Sequence, residues 1–299
     1  MRIAILGAEG QLGHELQSVI LSGTCEIGGL PQFITRSEVI AFGHKDLDIT
    51  DRDAVFKKIN EVCPDVVINC AAYTKVDLAE TEQEKCFSIN ADGAMFVALV
   101  CEEIKAKYIL PSSESVFGGG VRVPYTEDSE TLPTNIYGKS KLKGEQLSLK
   151  NCANTLVLRA GWLYGLHGNN FVKTIINAGK RRDSLSVVSD QWGNPTNANN
   201  LCYFLFKLMA ENRKGVFHCA DKGIISRFHF AEEIIKQAGI TCEVKPCATS
   251  EYPMSAPRSD YMGLDCSKLE KTLECGTKTQ AWNEALSRFI RNMKEGGMV

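Results

Sequence analysis

The sequence predicts an α/β fold, a doubly wound parallel sheet followed by a smaller C-terminal lobe. Three observations lead there. Residues 1–160 alternate short apolar runs with stretches of helical periodicity, the pattern of strands covered on both faces by helices. The apolar runs, VVI at 66–68 among them, lack the polar alternation of a half-exposed strand. A glycine-rich turn separates the first such run from the helix after it.

In chain order, Arg2–Leu6 reads as the first strand and Gln11–Ile20 as its helix. Glu38–Phe42 is the second strand, followed by a helix at Arg52–Glu61, and Asp65–Cys70 is the third. A helix from Asp92 to Lys105 leads into a fourth strand at Tyr108–Pro111, and one from Tyr137 to Lys150 leads into a fifth at Leu156–Arg159. Beyond it the alternation weakens. Helices are expected near Phe171–Ala178, Asn199–Glu211, Arg227–Ala238, Ser267–Thr272 and Thr279–Met293, with strands near Leu185–Val188, Gly215–His218 and Glu243–Lys245. Residues 1–160 are accordingly read as mainly a dinucleotide-binding domain. Residues 161–299 are read as mainly a smaller α/β substrate-binding lobe, with chain crossovers between the two allowed. Ser22–Ser37, long and without periodicity, reads as a surface loop.

Composition narrows the function classes. Of 299 residues 44% are apolar, enough for a full core, and 36 acidic against 34 basic residues leave no basic excess of the kind a nucleic-acid binder carries. No run approaches the roughly 20 apolar residues of a membrane span. Glu9 and Glu15 follow the start too closely for a signal peptide, so a cytoplasmic protein is expected. The 12 cysteines form no CxxC pair and stand mostly in apolar runs, where they read as small buried hydrophobes. The five histidines match no metal-binding spacing, and no metal is expected.

The segment GAEGQLG places Gly7, Gly10 and Gly13 three apart between strand and helix. Missing side chains there allow a tight turn and let the backbone approach a pyrophosphate, toward which the helix N–H groups point. In this setting the turn predicts a Rossmann-like dinucleotide site. The end of the second strand bears on which dinucleotide. Gly43, His44 and Lys45 are small or basic and favour NADPH, whose 2′-phosphate they tolerate, with NADH also possible; a plain surface loop is the alternative. Asp48 would then lie near the adenine, and Ile49 would form an apolar wall.

YGKSK places Tyr137 and Lys141 on one helix face. A phenol of pKa about 10 shuttles protons poorly near neutrality, and an adjacent ammonium favours its phenolate. Before it, the fourth strand runs into SSESVF, where Ser113 at the strand's carboxyl end can hydrogen-bond a substrate carbonyl, or simply cap a turn. A glycine turn, a serine at a strand end and Tyr-x-x-x-Lys on the next helix, in that order, predict hydride and proton delivery to a carbonyl. Arg159 and Arg258 are candidates for a diphosphate contact, or structural arginines.

These motifs, with DLDITD, PDVVINCAAYTKVDLAE, SINADG, RAGWLYG, NNFVKT and VVSDQWGNPT, fall in the order of the dTDP-4-dehydrorhamnose reductase family, extended short-chain dehydrogenases/reductases with the pattern G-x-x-G-x-x-G. The chain resembles that family over nearly its whole length. The resemblance implies reduction of the C4 ketone of dTDP-4-dehydro-6-deoxy-L-mannose to dTDP-L-rhamnose for cell-surface polysaccharide, with NADPH or NADH as cofactor. It implies that Gly7, Glu9, Gly10, Gln11, Leu12, Asp48, Ile49, Ala71, Ala72 and Thr74 line the cofactor. Val76, Ser113, Glu114 and Trp162 would approach the sugar nucleotide. Tyr137 would be the acid, and Lys141 would hold the nicotinamide ribose while lowering the tyrosine pKa.

The family usually reads STDYVF where this chain reads SSESVF, so Glu114 replaces an aspartate and Ser115 a tyrosine beside the sugar. Another nucleotide-linked 4-keto-6-deoxy sugar is therefore an alternative substrate. A non-catalytic dinucleotide-binding regulatory subunit is the alternative of a different class. Ser259, standing where the family has proline, would alter how Arg258 is presented. Some members dimerise and bind metal through an acidic first helix. Glu15 is the one such residue here, and either a monomer or a homodimer is expected.

Overall fold

The computed structural model describes residues 1–273 and 278–298. Six strands, β1 (Arg2–Leu6), β2 (Glu38–Phe42), β3 (Val66–Asn69), β4 (Lys107–Ser113), β5 (Thr155–Ala160) and β6 (Gly215–His218), form one parallel sheet in the order β6-β5-β4-β3-β1-β2. β1 lies between β2 and β3, so the strand order reverses beside it. In an open α/β sheet the crevice beyond the strand ends at such a point is where ligands bind.

The longer helices are α1 (Gln11–Ser22), α2 (Arg52–Val62), α3 (Ala94–Ile104), α4 (Ile136–Asn151), α5 (Phe171–Gly179), α6 (Ala198–Ala210), α7 (Arg227–Ala238) and α8 (Trp282–Glu295). Alternate strand residues feed opposite cores, which is why the strands read as unbroken apolar runs. Ile3, Ile5, Val66, Ile68, Leu156 and Leu158 pack with Leu16 of α1 and Phe204 of α6. Ala4, Leu6, Val67, Leu110 and Val157 pack with Ile59 of α2 and Val97 of α3. The doubly wound parallel sheet expected from the sequence is thus present. Residues beyond 160 return to it, since α6 covers one face and β6 extends it beside β5. They also build a third core around Val172, Leu185, Phe230 and Phe289, and a parallel pair at Ser184–Val188 and Glu243–Cys247.

Two local expectations are corrected. Ser22–Ser37 is not a plain surface loop: it forms a tight hairpin, Thr24–Cys25 with Gly28–Gly29, and a short helix, Gln32–Thr35. Ile34 is fully buried, and the Glu26 carboxylate accepts a hydrogen bond from Asn292, so the segment is tied to α8. The helical run expected from Asp92 begins earlier, at Gln83, and passes through a π-helical turn over Ser88–Gly93. Gly93 gives way there to Ile49, and the Asn90 side chain turns toward the site. Glu15 also points inward, its carboxylate accepting from Asn199 at 2.7 Å, while His14 is exposed and stacks on His167. Six cysteines are buried and four partly so, whereas Cys63 is exposed; Cys275 lies outside the described residues. Among the described residues no helix is long and apolar enough to cross a membrane.

His218, at the end of β6, carries a testable consequence. Its Nδ1 donates to the carbonyls of Tyr125 and Asp265, 3.1 and 3.2 Å away. Burial, together with the Arg159 guanidinium, pushes its pKa from 6.5 down to about 3. The unfolded chain therefore binds a proton between these values that the native chain refuses, and stability present above pH 6.5 is lost as pH falls toward 3. Urea titrations should show about 2 kcal/mol lost to this residue between pH 6.5 and 5. His218→Gln should flatten that part of the slope, and an unchanged slope would remove His218 as its source.

Candidate active site

The turn after β1 is shaped by what its glycines lack. Gly7 has φ +68°, and a Cβ there would stand 2.5 Å from the Ala71 nitrogen. At Gly13 a Cβ would meet the Gly7 carbonyl oxygen at 2.5 Å. Asp51, Asn135, Asn170, Asn197 and Ser226 each cap the helix they precede with a side-chain oxygen. α1 instead opens on Gly10, which brings no side chain to its first-turn N–H groups. Those of Gln11 and Leu12 get no acceptor from the helix itself, and they face outward at the carboxyl edge of the sheet. The Gln11 side chain donates to the Leu163 carbonyl at 3.2 Å and accepts from Asn170 at 3.0 Å, joining the turn to the segment that leads into α5.

The end of β2 carries more negative charge than its sequence suggests. The Glu9 carboxylate leans over Gly43, its oxygens 2.9 Å from where a Cβ would be. Asp46 accepts from the Gly43 N–H at 2.8 Å. His44 and Lys45 are exposed. Asp48 accepts from the N–H and hydroxyl of Thr50, which hold its carboxyl below the usual range, and Ile49 is buried under Gly93. Across the crevice, Ala71 and Ala72 are partly exposed, Thr74 is exposed and Val76 opens a short helix. This loop is held by Asn90, whose side chain accepts from the Tyr73 N–H and donates to the Tyr73 carbonyl and to Ser140.

Ser113 and Tyr137 come together where β4 ends. The Ser113 hydroxyl lies 3.0 Å from the Glu114 carboxylate and 3.1 Å from Ser115 Oγ, and it hydrogen-bonds the Tyr137 phenol. α4 can press this closely because of Gly138 and Gly144, where a Cβ would lie 2.1 Å from the carbonyls of Ser115 and Asn90. The electrostatics depart from expectation. Burial raises the Tyr137 phenol well above its usual range, the Glu114 carboxylate pushes the same way, and only the Ser113 hydrogen bond opposes them. Lys141 does not lower it. Its Nζ donates to the Pro111 carbonyl at 2.9 Å, and burial, against the attraction of Glu145, brings its own pKa down to about 8. A dry pocket outweighs one turned-away cation, so the phenol keeps its proton.

The opposite wall consists of Glu114, Trp162, Arg227 and Arg258. Glu114 is 6% exposed, and burial raises its carboxyl despite hydrogen bonds from Ser113 and the Trp162 N–H. Trp162 holds φ at +40°, a strained value for a bulky residue, and its buried Nε1 has no partner among the described residues. Arg258 donates to Asp77 and to the Ala256 carbonyl, both at 2.8 Å, which favours the structural reading of it. Ser259 donates to the Gly118 carbonyl. Arg159 is buried in a bidentate pair with Glu145 and is not in the cleft as a diphosphate contact. Sequence reasoning missed Asn90 and Asn170, although both stand in quoted motifs, and it missed Arg227, for which no motif gave a signal. Among the described residues no group of three or more His, Cys, Asp or Glu side chains is placed to hold a metal ion.

The chain is similar to known proteins over nearly its whole length. The family described as the RmlD substrate binding domain matches residues 1–295. The spore coat polysaccharide biosynthesis protein SpsK of Bacillus subtilis is 34% identical over 290 residues, covering 97% of each chain. A solved dTDP-4-dehydrorhamnose reductase from Clostridium acetobutylicum is 41% identical, with a TM-score of 0.91 over 98% of this chain and 100% of that one. That from Bacillus anthracis, solved in complex with NADP, is 36% identical, with a TM-score of 0.90 over 97% of this chain and 99% of that one. With a match that runs almost end to end, the chain belongs to the dTDP-4-dehydrorhamnose reductase family.

Proposed function

We propose that this protein is an NAD(P)H-dependent oxidoreductase that reduces the C4 ketone of dTDP-4-dehydro-6-deoxy-L-mannose to dTDP-L-rhamnose. The observation that carries the reading is the convergence of Ser113 and a protonated Tyr137 at the carboxyl edge of the sheet, beside the bare N-terminus of α1. The chain's own residues fit a dinucleotide. Gly7 and Gly13 let the turn pack directly on the loop after β3 and on itself, with no Cβ in the way, and α1 presents its N–H groups for a pyrophosphate. When bound, the reduced nicotinamide supplies a hydride.

The remaining chemistry belongs to side chains. Ser113 donates to the ketone oxygen and orients it. As the carbonyl carbon accepts the hydride and its C–O double bond becomes single, Tyr137 gives its proton to that oxygen, leaving a secondary alcohol and a phenolate. The raised phenol keeps the donor form populated at neutral pH. Lys141, charged below about pH 8 and fixed by the Pro111 carbonyl, would hold the nicotinamide ribose. Glu114, Trp162 and Val76 shape the sugar end.

Purified protein given this keto sugar and either reduced dinucleotide should consume the nicotinamide absorbance and yield the rhamnose nucleotide. Tight dinucleotide binding with no turnover of any 4-keto sugar nucleotide would leave the regulatory-subunit reading standing instead. Glu114 and Ser115, where the family usually has aspartate and tyrosine, favour a second reading in which the substrate is another nucleotide-linked 4-keto-6-deoxy sugar.

Cofactor choice gives a separate prediction. A carboxylate at Glu9, over Gly43, can accept from an adenosine ribose hydroxyl and repels a 2′-phosphate. Glu9→Gln should shift the ratio of NADPH to NADH affinity toward NADPH by about fivefold, the worth of about 1 kcal/mol between exposed charges. Equilibrium titration with both dinucleotides measures it, and an unmoved ratio would place the ribose elsewhere.

A further inference from the structure

Arg227 is the arginine of this site whose donors are unused. Arg159 directs its guanidinium to Glu145, and Arg258 directs its own to Asp77 and the Ala256 carbonyl. Among the described residues the Arg227 guanidinium makes no hydrogen bond. It lies flat on the Trp162 ring, 3.8 Å from its centroid, with the Phe171 ring 4.9 Å away. Stacking fixes its plane and leaves the edge, which carries the N–H groups, free. Nor does the fold call for a cation there. Arg227 is the first residue of α7, capped by Ser226, so it stands at the positive end of the helix dipole.

Its surroundings are those of the site. Glu114 faces it electrostatically, and Glu114 in turn touches Ser113, which bonds the Tyr137 phenol. Trp162, on which it stacks, is the residue held at φ +40°. A rigid, half-buried fork with free donors, held one residue away from the proton-donating pair, is built to receive oxygens that carry negative charge.

We propose that Arg227 is the oxyanion anchor of the substrate cleft, binding through its free N–H edge a negatively charged group of the nucleotide sugar. The inference rests on the nucleotide-sugar reading of the site. Two sources supply that chemistry, the diphosphate itself or a carboxylate carried by the sugar, and the test separates them. Dissociation constants for thymidine, dTDP, dTDP-glucose and dTDP-glucuronate are measured by calorimetry on the wild-type protein, Arg227→Met and Arg227→Lys. Methionine keeps apolar contact with Trp162 without charge, and lysine restores charge without the planar fork.

If the diphosphate is the partner, Arg227→Met weakens dTDP and both sugar nucleotides by about 10- to 100-fold, as loss of one or two charged hydrogen bonds does, leaves thymidine unchanged, and Arg227→Lys recovers part of the loss. If a sugar carboxylate is the partner, dTDP is unaffected and only the preference for dTDP-glucuronate over dTDP-glucose disappears. NADPH affinity measured alongside reports whether the fold is intact. Equal affinities for all four ligands in wild type and Arg227→Met would overturn the inference alone. Failure of the wild-type protein to bind any of the four, with NADPH bound normally, would overturn the nucleotide-sugar reading and the anchor with it.

Discussion

Replacing Tyr137 by phenylalanine is expected to lower turnover by at least about a hundredfold while leaving dinucleotide affinity within about twofold. The ring is partly buried against Tyr73, Ala79 and Cys86, and phenylalanine fills the same volume, so the fold should tolerate the change. What is lost is the phenol hydroxyl beside Ser113 that can place a proton on the ketone oxygen. Ser113 alone is a poor substitute, since an alcohol is a far weaker acid than a phenol. Turnover and dinucleotide affinity are measured on one preparation, and unchanged turnover would sink the proton-donor assignment.

The pH profile supplies an independent reading of the same pair. The phenol holds its proton well above its ordinary range, so Tyr137 gives no falling limb between pH 7 and its usual value near 10. Lys141 loses its charge near pH 8, so any decline of kcat/KM above that value belongs to the lysine. Arginine at that position, which does not titrate in this range, should move the limb to higher pH.

The parts of the site written as local patterns were legible in the sequence. Gly7, Gly10 and Gly13 sit between a strand and a helix within a few residues of one another, and Tyr137 and Lys141 share one helix face by spacing alone. Ser113 was legible because the apolar run before it marks a strand end. Electrostatics were not. Spacing predicted that the lysine would lower the phenol, yet the outcome depends on how dry the pocket is and on the Pro111 carbonyl that takes the ammonium, both products of packing. Arg227 was invisible for a related reason. It follows a helix cap, where an arginine reads as solvated surface, and its ring partner Trp162 lies far away in the chain. β6 is only four residues long, and its return to the first sheet is a matter of topology that periodicity cannot express. Ser22–Ser37 misled because its anchors are single residues, Ile34 and Glu26, without a repeat.

Gly7→Ala should abolish tight dinucleotide binding, with a loss of at least about fiftyfold, and destabilise the fold by roughly 2–4 kcal/mol. Two independent costs add at this position. A φ of +68° is open to glycine and disfavours alanine by about 1–2 kcal/mol. The new Cβ would also stand 2.5 Å from the Ala71 nitrogen and 2.8 Å from the Cys70 carbonyl carbon, both backbone atoms that cannot rotate away. Relief requires the turn to lift from the loop after β3, which moves the first N–H groups of α1 out of line with a pyrophosphate. Gly29→Ala is the matched control, since a Cβ there meets nothing within 4 Å, and it should leave both affinity and stability nearly unchanged. Thermal unfolding and dinucleotide titration on the two variants separate the effects. A Gly7→Ala protein that is destabilised yet binds dinucleotide normally would show that the pyrophosphate does not rest on this turn, and the hydride would then have to reach Ser113 and Tyr137 from another direction.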